Sequence, residues 1–343
     1  RLARLFAGGF YSEAEVTPGL AASGDFLRIG DAGALPQSLR GGVAAIGNFD
    51  GVHRGHQAVL ARALTDAATD GRPVIVLTFE PHPRSLFQPD VTLFRLTPAP
   101  MKARIISMLG FDAIVEQAFT REFAGHTAQE FVDRVLVGQL GISHAVTGFD
   151  FHFGRDRQGG PAFLMQAGKQ RGFDVALVDA FRDEGAEVVS SSRIRKLLAQ
   201  GDVTQAAGQL GYRYTIEAEV IGGQKLGRTL GFPTANMALP EGTGLAHGIY
   251  AVRLRRENGA LHDGVASFGR RPTVTENGAP LLETHLFDFS GDLYGERACV
   301  SFFGFLRGEE KFDGLDALVA RMRRDEAEAR ALLSGVRPLS ALD

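Results

Sequence analysis

The period of the hydrophobic pattern changes once along this chain, near residue 210. Before that point apolar runs alternate with helical stripes. Residues 43–46 are a short apolar run ending in Gly47. Residues 57–68 then repeat apolar positions at helical spacing, with Val59, Leu60, Ala63, Leu64 and Ala67 on one stripe. Residues 74–79 (VIVLTF) read as a strand buried on both faces, as a parallel sheet requires. Helices are expected near 102–108, 127–136 and 163–170, and strands at 113–115, 145–147 and 174–178. Thr127 and Glu130 stand at capping-box spacing. After residue 210 the period falls to two. Tyr214, Ile216, Ala218 and Val220 alternate with Thr215, Glu217 and Glu219, the mark of a half-buried strand. Residues 250–255, 264–268, 281–289 and 298–303 read as further strands, and one charge-rich helix closes the chain at 315–333. A doubly wound α/β domain followed by a small antiparallel barrel with a terminal helix accounts for both halves. The expected division is 1–200, a linker at 201–213, and 214–343.

The chain's 343 residues suit two domains. Apolar residues make up 44%, enough for two cores, which excludes disorder as the main state. The net charge of −3 marks neither a nucleic-acid binder nor a membrane-surface binder. No apolar run has the length of a membrane span. The single cysteine, Cys299, excludes an internal disulfide and a cysteine zinc site and fits a reducing cytoplasm. No secretory leader is visible. The chain opens on Arg1 rather than Met, so its first residue need not be the protein's own start.

Ligands of open α/β sheets bind beyond the carboxyl ends of the strands. After the first expected strand comes GNFDGVHRGH, residues 47–56. Gly47, Gly51 and Gly55 let backbone approach a ligand. A helix starting near His56 offers free N–H groups and a partial positive charge to an anion. His53 and His56, three apart, can point the same way. The same residues also fit a capped turn with two incidental histidines, or an i,i+3 metal pair; no HExxH pattern supports catalytic zinc. Residues 188–198 (VVSSSRIRKLL) add serines at a helix start with Arg193, Arg195 and Lys196 nearby. That suits phosphate, and suits an ordinary capped helix equally.

In the second half, residues 222–229 (GGQKLGRT) mimic a Walker loop, but Leu230, Gly231, Phe232 and Pro233 follow where a helix is required, so that reading is rejected. In the strand at 281–289, Leu281, Glu283, His285 and Phe287 share one face, which places Glu283 among apolar neighbours. A barrel-rim salt bridge is the plain alternative for it.

Four segments together, GNFDGVHRGH, SSSRIR, GRTLGFPTAN and ETHLFDF, resemble the prokaryotic bifunctional riboflavin kinase/FAD synthetase family. TFEPHP (78–83), TGFDFHFG (147–154), GIYAV (248–252) and SFGRRPTV (267–274) fall in the same order, and the likeness spans about residues 43–333. The resemblance implies an N-terminal Rossmann-like HxGH nucleotidyltransferase domain and a C-terminal six-stranded riboflavin kinase barrel. It implies two reactions: riboflavin and ATP to FMN and ADP, then FMN and ATP to FAD and pyrophosphate. For the second, it implies that Gly47, Phe49, Asp50, Gly51, His53, Gly55, His56, Ser191, Ser192 and Arg195 hold ATP, with His53 and His56 catalytic. Phe79, Pro81, His82 and Asp150 would lie near flavin and nucleotide. For the first, it implies Glu283 as the base for the riboflavin 5′-hydroxyl and Thr234 and Asn236 as contacts of Mg-ATP. Gly227, Gly231, Phe232, Pro233, Tyr250, Arg271 and Arg307 would complete the kinase site.

Where the family has SSTxIR, Ser192 replaces Thr and keeps the hydroxyl. The implied partners are riboflavin, FMN, FAD and ATP with Mg²⁺, without nucleic acid or membrane, in the cytoplasm, with room for a weak homo-oligomer. Two other readings stay open: one active module, if departures at Ser192, Phe268 or Arg270 disable the other, and a flavin-binding regulator without turnover. Retention of His56 and Glu283 speaks against the regulator, since binding alone requires neither.

Overall fold

The computed structural model describes residues 26–222, 234–270 and 280–340. The chain forms two compact units that divide between Ser191 and Ser192.

The first unit is built on a six-stranded, all-parallel sheet: β1 (Leu27–Ile29), β2 (Val43–Ile46), β3 (Val74–Glu80), β4 (Ala113–Ala118), β5 (His144–Gly148) and β6 (Asp174–Val178), in spatial order β1-β4-β3-β2-β5-β6. Helix α1 (Arg54–Asp70) crosses from β2 to β3, and α2 (Ala99–Leu109) precedes β4. One sheet face, with Ala44, Ile46, Ile75, Leu77, Phe79, Val115 and Ala145, packs on Phe131, Val135 and Leu136, and on Leu164 of α3 (Pro161–Arg171). α1 covers the opposite face over β2, β3 and β5. Strands buried on both faces need the unbroken apolar runs that the sequence carries there. Gly71, at φ 66°, ends α1 in the left-handed conformation that glycine tolerates best.

From β2 the chain runs outward through β3 to β4, then returns to β2's other side with β5. The crevice between the carboxyl ends of β2 and β5 is therefore the topological switch point. One expectation changes here. The helix expected at 127–136 keeps only one α turn, Ala128–Glu130, with the Thr127–Glu130 capping box formed. It then widens to a π-helix over Phe131–Gln139. Gly138 suits the wide turn, because a Cβ there would lie 3.0 Å from the Asp133 carbonyl oxygen.

Helix α4 (Ser191–Ala199) begins on the last residue of the first unit and runs into the second, where α5 (Val203–Leu210) follows. The stretch 201–213 expected as linker is thus mostly helix. Asp202 caps α5 through its side chain, and Gly211 ends it at φ 78°. Six antiparallel strands follow: β7 (Thr215–Glu219), β8 (Thr234–Ala238), β9 (Gly248–Arg255), β10 (Leu261–Arg270), β11 (Pro280–Leu286) and β12 (Arg297–Arg307), in order β7-β12-β9-β10-β11-β8. Ile221, just past β7, donates its N–H to the Asn236 carbonyl of β8 at 2.8 Å and draws the two edges toward closure. The interior holds Tyr250, Val252, Ala266, Phe268, Leu282 and Phe302, all fully buried. On the outer face, α6 (Leu315–Ser334) lays Ala329 and Leu333 over Ala251 and Phe303. Strand β8 is not among the strands expected from period. Its alternation, with Ala235 and Met237 inward and Thr234 and Asn236 on the other face, makes it a strand.

Candidate active sites

In the first unit, the turn between β2 and α1 is shaped by three residues in left-handed backbone: Phe49 (φ 48°), Gly51 (φ 90°) and Val52 (φ 36°). Two of these are not glycine, so the fold must hold them there against local strain. It does so with polar anchors. Asp50, 1% exposed, accepts from the Thr97 N–H at 3.1 Å and pairs with Arg95 Nε at 3.6 Å. Gly51 N–H donates to Thr97 Oγ1 at 2.8 Å, and Ser191 Oγ donates to the Asp50 carbonyl at 2.8 Å. Phe49, buried, sets its ring edge against His56 at 5.3 Å.

His53 is the N-cap of α1, and its Nδ1 accepts from the His56 N–H at 3.3 Å. The two imidazoles stack with centroids 3.6 Å apart. Gly55 makes the stack possible, because a Cβ there would press on the His53 ring at 3.2 Å. Burial first, then His53 and Lys102 beside it, hold the His56 imidazole well below its ordinary pKa. It is therefore a neutral donor or acceptor at neutral pH. His56 Nδ1 has no hydrogen-bond partner among the described residues. The start of α1, with the partial positive charge of a helix end, completes an anion-receiving set.

Beneath the turn lies a charged cluster. Arg95 grips Glu80 through both amino groups, at 2.9 and 2.8 Å, and Lys102 Nζ lies 2.8 Å from Glu80 Oε1. Although burial opposes it, these two cations draw the Glu80 carboxyl down to about 2. On Lys102, burial outweighs the pull of Glu80, and its pKa falls below the ordinary value. Glu80 joins Pro81 through a cis peptide bond, and His82 Nδ1 then accepts from the Arg84 N–H as an N-cap. Phe79 sits in an aromatic cluster with Phe119, Phe123 and Phe131. Asp150 is exposed just beyond β5, its carbonyl 2.8 Å from His152 Nδ1.

In the second unit, strand register brings functional residues into one row. Asn236 of β8 lies directly opposite Glu283 of β11, Glu283 opposite Ser267 of β10, Ser267 opposite Ile249 of β9, and Ile249 opposite Arg307 of β12. Directly paired residues share a face, with Cβ atoms about 4.5–5.5 Å apart. Glu283 therefore has polar cross-strand neighbours, Asn236 and Ser267, beside the Leu281 and His285 that share its face along the strand. Its apolar strand-mates Leu282 and Leu286 point to the other face, into the barrel. Asn236 is 3% exposed; its Nδ2 donates to the Thr234 carbonyl at 3.3 Å, and its Oδ1 has no hydrogen-bond partner among the described residues.

The chain matches two family models in sequence. FAD synthetase covers residues 35–193 and riboflavin kinase covers residues 210–333. A bifunctional riboflavin kinase/FMN adenylyltransferase of Pseudomonas fluorescens is 44% identical over 85% of this chain and 93% of the relative. The chain belongs to the bifunctional riboflavin kinase/FMN adenylyltransferase family. Proteins of the same name in Escherichia coli K12 and Bacillus subtilis are 39% and 36% identical, over 87% and 86% of this chain and 95% and 93% of theirs. A crystal structure from Streptococcus pneumoniae, titled a macrolide-efflux protein, aligns over 89% of this chain and 99% of its own with a TM-score of 0.79 at 30% identity. No helix among the described residues is long and apolar enough to cross a membrane.

In this family member, Gly47, Phe49, Asp50, Gly51, His53, Gly55 and His56 form one turn, and Ser191 is tied to it through Asp50. Ser192 and Arg195 continue α4 as the first residues of the second unit. Phe79, Pro81 and His82 line up at the carboxyl end of β3, and Asp150 at that of β5. Tyr250 and Arg307 are tied to internal partners. Tyr250 is fully buried, its hydroxyl donates to the Ala246 carbonyl, and burial pushes its pKa up. Arg307 is bound to Asp325 of α6 at 2.7 Å. Gly227, Gly231, Phe232, Pro233 and Arg271 lie outside the described residues. Lys102, Arg95 and Thr97 belong to no motif singled out in the sequence. Their only signals are a lone lysine on the buried side of an apolar helix and the proximity of Arg95 and Thr97 to its start.

Proposed function

We propose that this chain runs both reactions of its family at separate sites. Of the sequence departures, Ser192 keeps a hydroxyl and Phe268 is buried in the barrel interior. FMN adenylylation is assigned to the switch-point turn of the parallel sheet, and riboflavin phosphorylation to the polar row on the barrel. The observation that carries the first assignment is the stacked His53–His56 pair at the start of α1. A phosphate attacking the α-phosphorus of ATP needs no protein nucleophile. It needs two anions aligned and the charge of the departing pyrophosphate stabilised. The neutral His56 imidazole, its stacked partner His53 and backbone N–H groups supply that role without a proton-transfer pair.

On the barrel, Glu283 is the base that takes the proton from the riboflavin 5′-hydroxyl as its oxygen attacks the γ-phosphorus of ATP. Its carboxylate lies in the same row as Asn236, so base and phosphate anchor sit one strand spacing apart. The unpartnered, buried Asn236 Oδ1 fits a magnesium that keeps several waters, with Thr234 as the second neutral oxygen. Bound there, Mg²⁺ would neutralise charge on the ATP phosphates. A cytoplasmic location fits ATP as substrate and a chain whose single cysteine, Cys299, cannot form an internal disulfide.

A chromatographic time course with riboflavin, ATP and Mg²⁺ tests the whole reading: FMN should appear first and FAD follow. Glu283→Gln should slow riboflavin phosphorylation by about 10²–10⁴-fold and leave FAD formation from supplied FMN at the wild-type rate. Loss of both activities in a folded variant would overturn the division of labour. Flavin binding with no product from either flavin would favour a regulator.

A further inference from the structure

The cation beneath the GNFDG turn has no part in the chemistry described so far. Lys102 lies on α2 with its side chain wholly shielded from solvent. An ammonium group has three protons to donate and no acceptor. Here three oxygens take them: Glu80 Oε1 at 2.8 Å, Thr78 Oγ1 at 2.9 Å and the Asn48 carbonyl at 3.2 Å. Thr78, having accepted from Lys102, donates its own proton to the same Asn48 carbonyl at 3.1 Å. The carbonyl of Asn48 thus receives two hydrogen bonds from the buried side of the turn. The sheet ladder does not hold it, since β2 ends at Ile46.

Fixing that carbonyl fixes the peptide plane that follows. The C=O and N–H of a trans peptide point in opposite directions. With Asn48 O held toward Lys102, the Phe49 N–H is turned away from the buried cluster. Phe49 takes its left-handed φ of 48° at this same point, so the orientation is imposed against local preference. Among the described residues the Phe49 N–H has no hydrogen-bond partner. Its ring packs on His56, in the same turn that carries the imidazole pair.

Resting on the reading of this turn as the ATP site, we infer that Lys102 is a positioning residue for adenylyl transfer. Together with Thr78, it orients the Asn48–Phe49 peptide so that the Phe49 N–H serves as a donor to a phosphoryl oxygen of the nucleoside triphosphate. Lys102 itself touches no substrate. Glu80, itself held by Arg95, keeps the buried ammonium paired, and Thr78 doubles the grip on the carbonyl.

The two activities of the chain supply an internal control. In Lys102→Met, kcat for FAD formation from FMN should fall by at least about tenfold, a fraction of the ~10²–10³ seen when an oxyanion donor is removed outright. The KM for FMN should stay near its wild-type value, and riboflavin phosphorylation should continue at the wild-type rate. Lys102→Met combined with Glu80→Gln removes the stranded carboxylate and should remain slow. If the double variant recovers FAD formation, Lys102 is only a counter-ion to Glu80 and the inference fails. Thr78→Val leaves every charge in place and decides the matter if Lys102→Met does not fold. It should lower FAD formation several-fold, and an unchanged rate overturns the inference. His56→Ala belongs in the same series. Slow His56→Ala with fast Lys102→Met rejects the Lys102 inference alone, whereas full activity in both rejects the ATP-site reading beneath it.

Discussion

Single side chains in this protein are legible by what they neutralise. His56 is kept neutral by its surroundings, and the consequence is a dependence of stability on pH. Its folded-state pKa lies well below the ordinary 6.5, so between those values the unfolded chain binds more protons than the native one. Stability of the first unit should therefore be fully present above about pH 6.5 and decline as pH falls toward the depressed value. Glu80 adds a second, lower window. With its carboxyl drawn down to about 2, its contribution holds above the ordinary 4.5 and is lost as pH falls through about 2. Urea unfolding of wild type and His56→Asn at about pH 7, 5 and 3 separates the two. The variant should lose the slope above pH 5 and keep the acid one. A slope unchanged in His56→Asn would assign it elsewhere. At this scale the motifs name His53, His56 and Glu283 directly. They say nothing of Lys102, because a buried cation is defined by partners scattered over 54 residues of sequence, from Asn48 to Lys102.

Elements set the precision of these side chains. Gly55 opens the first turn of α1, where alanine would favour the helix by up to about 1 kcal/mol. Yet a Cβ there meets the His53 ring at 3.2 Å, tighter than ordinary contact. Gly55→Ala should leave thermal stability within about 1 kcal/mol of wild type while lowering FAD formation. Full activity in that variant would mean that the imidazole stack is dispensable. In the barrel, Asp325 of α6 is the buried acid that takes Arg307 of β12 at 2.7 Å and Arg321 at 3.2 Å. Breaking a buried ion pair by removing one partner costs about 3–5 kcal/mol. Asp325→Ala should destabilise the second unit by that order in denaturant unfolding followed through kinase activity. Most helices and strands were readable from period, though α5 stands where a linker was expected. Their ends moved, and β8 was hidden, since five residues rich in Thr, Asn and Ala become a strand only when β11 lies beside them.

Across the whole molecule, two cores with separate chemistry predict two separable losses. Phe302 is fully buried in the barrel, edge-on to Tyr250 at 5.2 Å. Truncation to alanine costs about 3–5 kcal/mol in such sites. Phe302→Ala should shift loss of riboflavin phosphorylation to lower urea and leave loss of FAD formation where it was. Leu77→Ala, in the parallel-sheet core, should do the reverse; a joint shift would mean that the units unfold as one. Local order alone determined a good deal of this protein. The change of period separates a parallel sheet from an antiparallel barrel, and glycines, histidines and serines after apolar runs mark where backbone must meet an anion. Both follow from short-range rules of helix spacing, pleat and left-handed turns, which each segment carries within itself. The tertiary structure alone decided which face Glu283 occupies beside Asn236 and Ser267, and that Tyr250 and Arg307 are committed to internal partners. It also decided that a buried lysine holds the Asn48 carbonyl. Those are facts of register and burial, and they exist only once residues distant in the chain have been brought together.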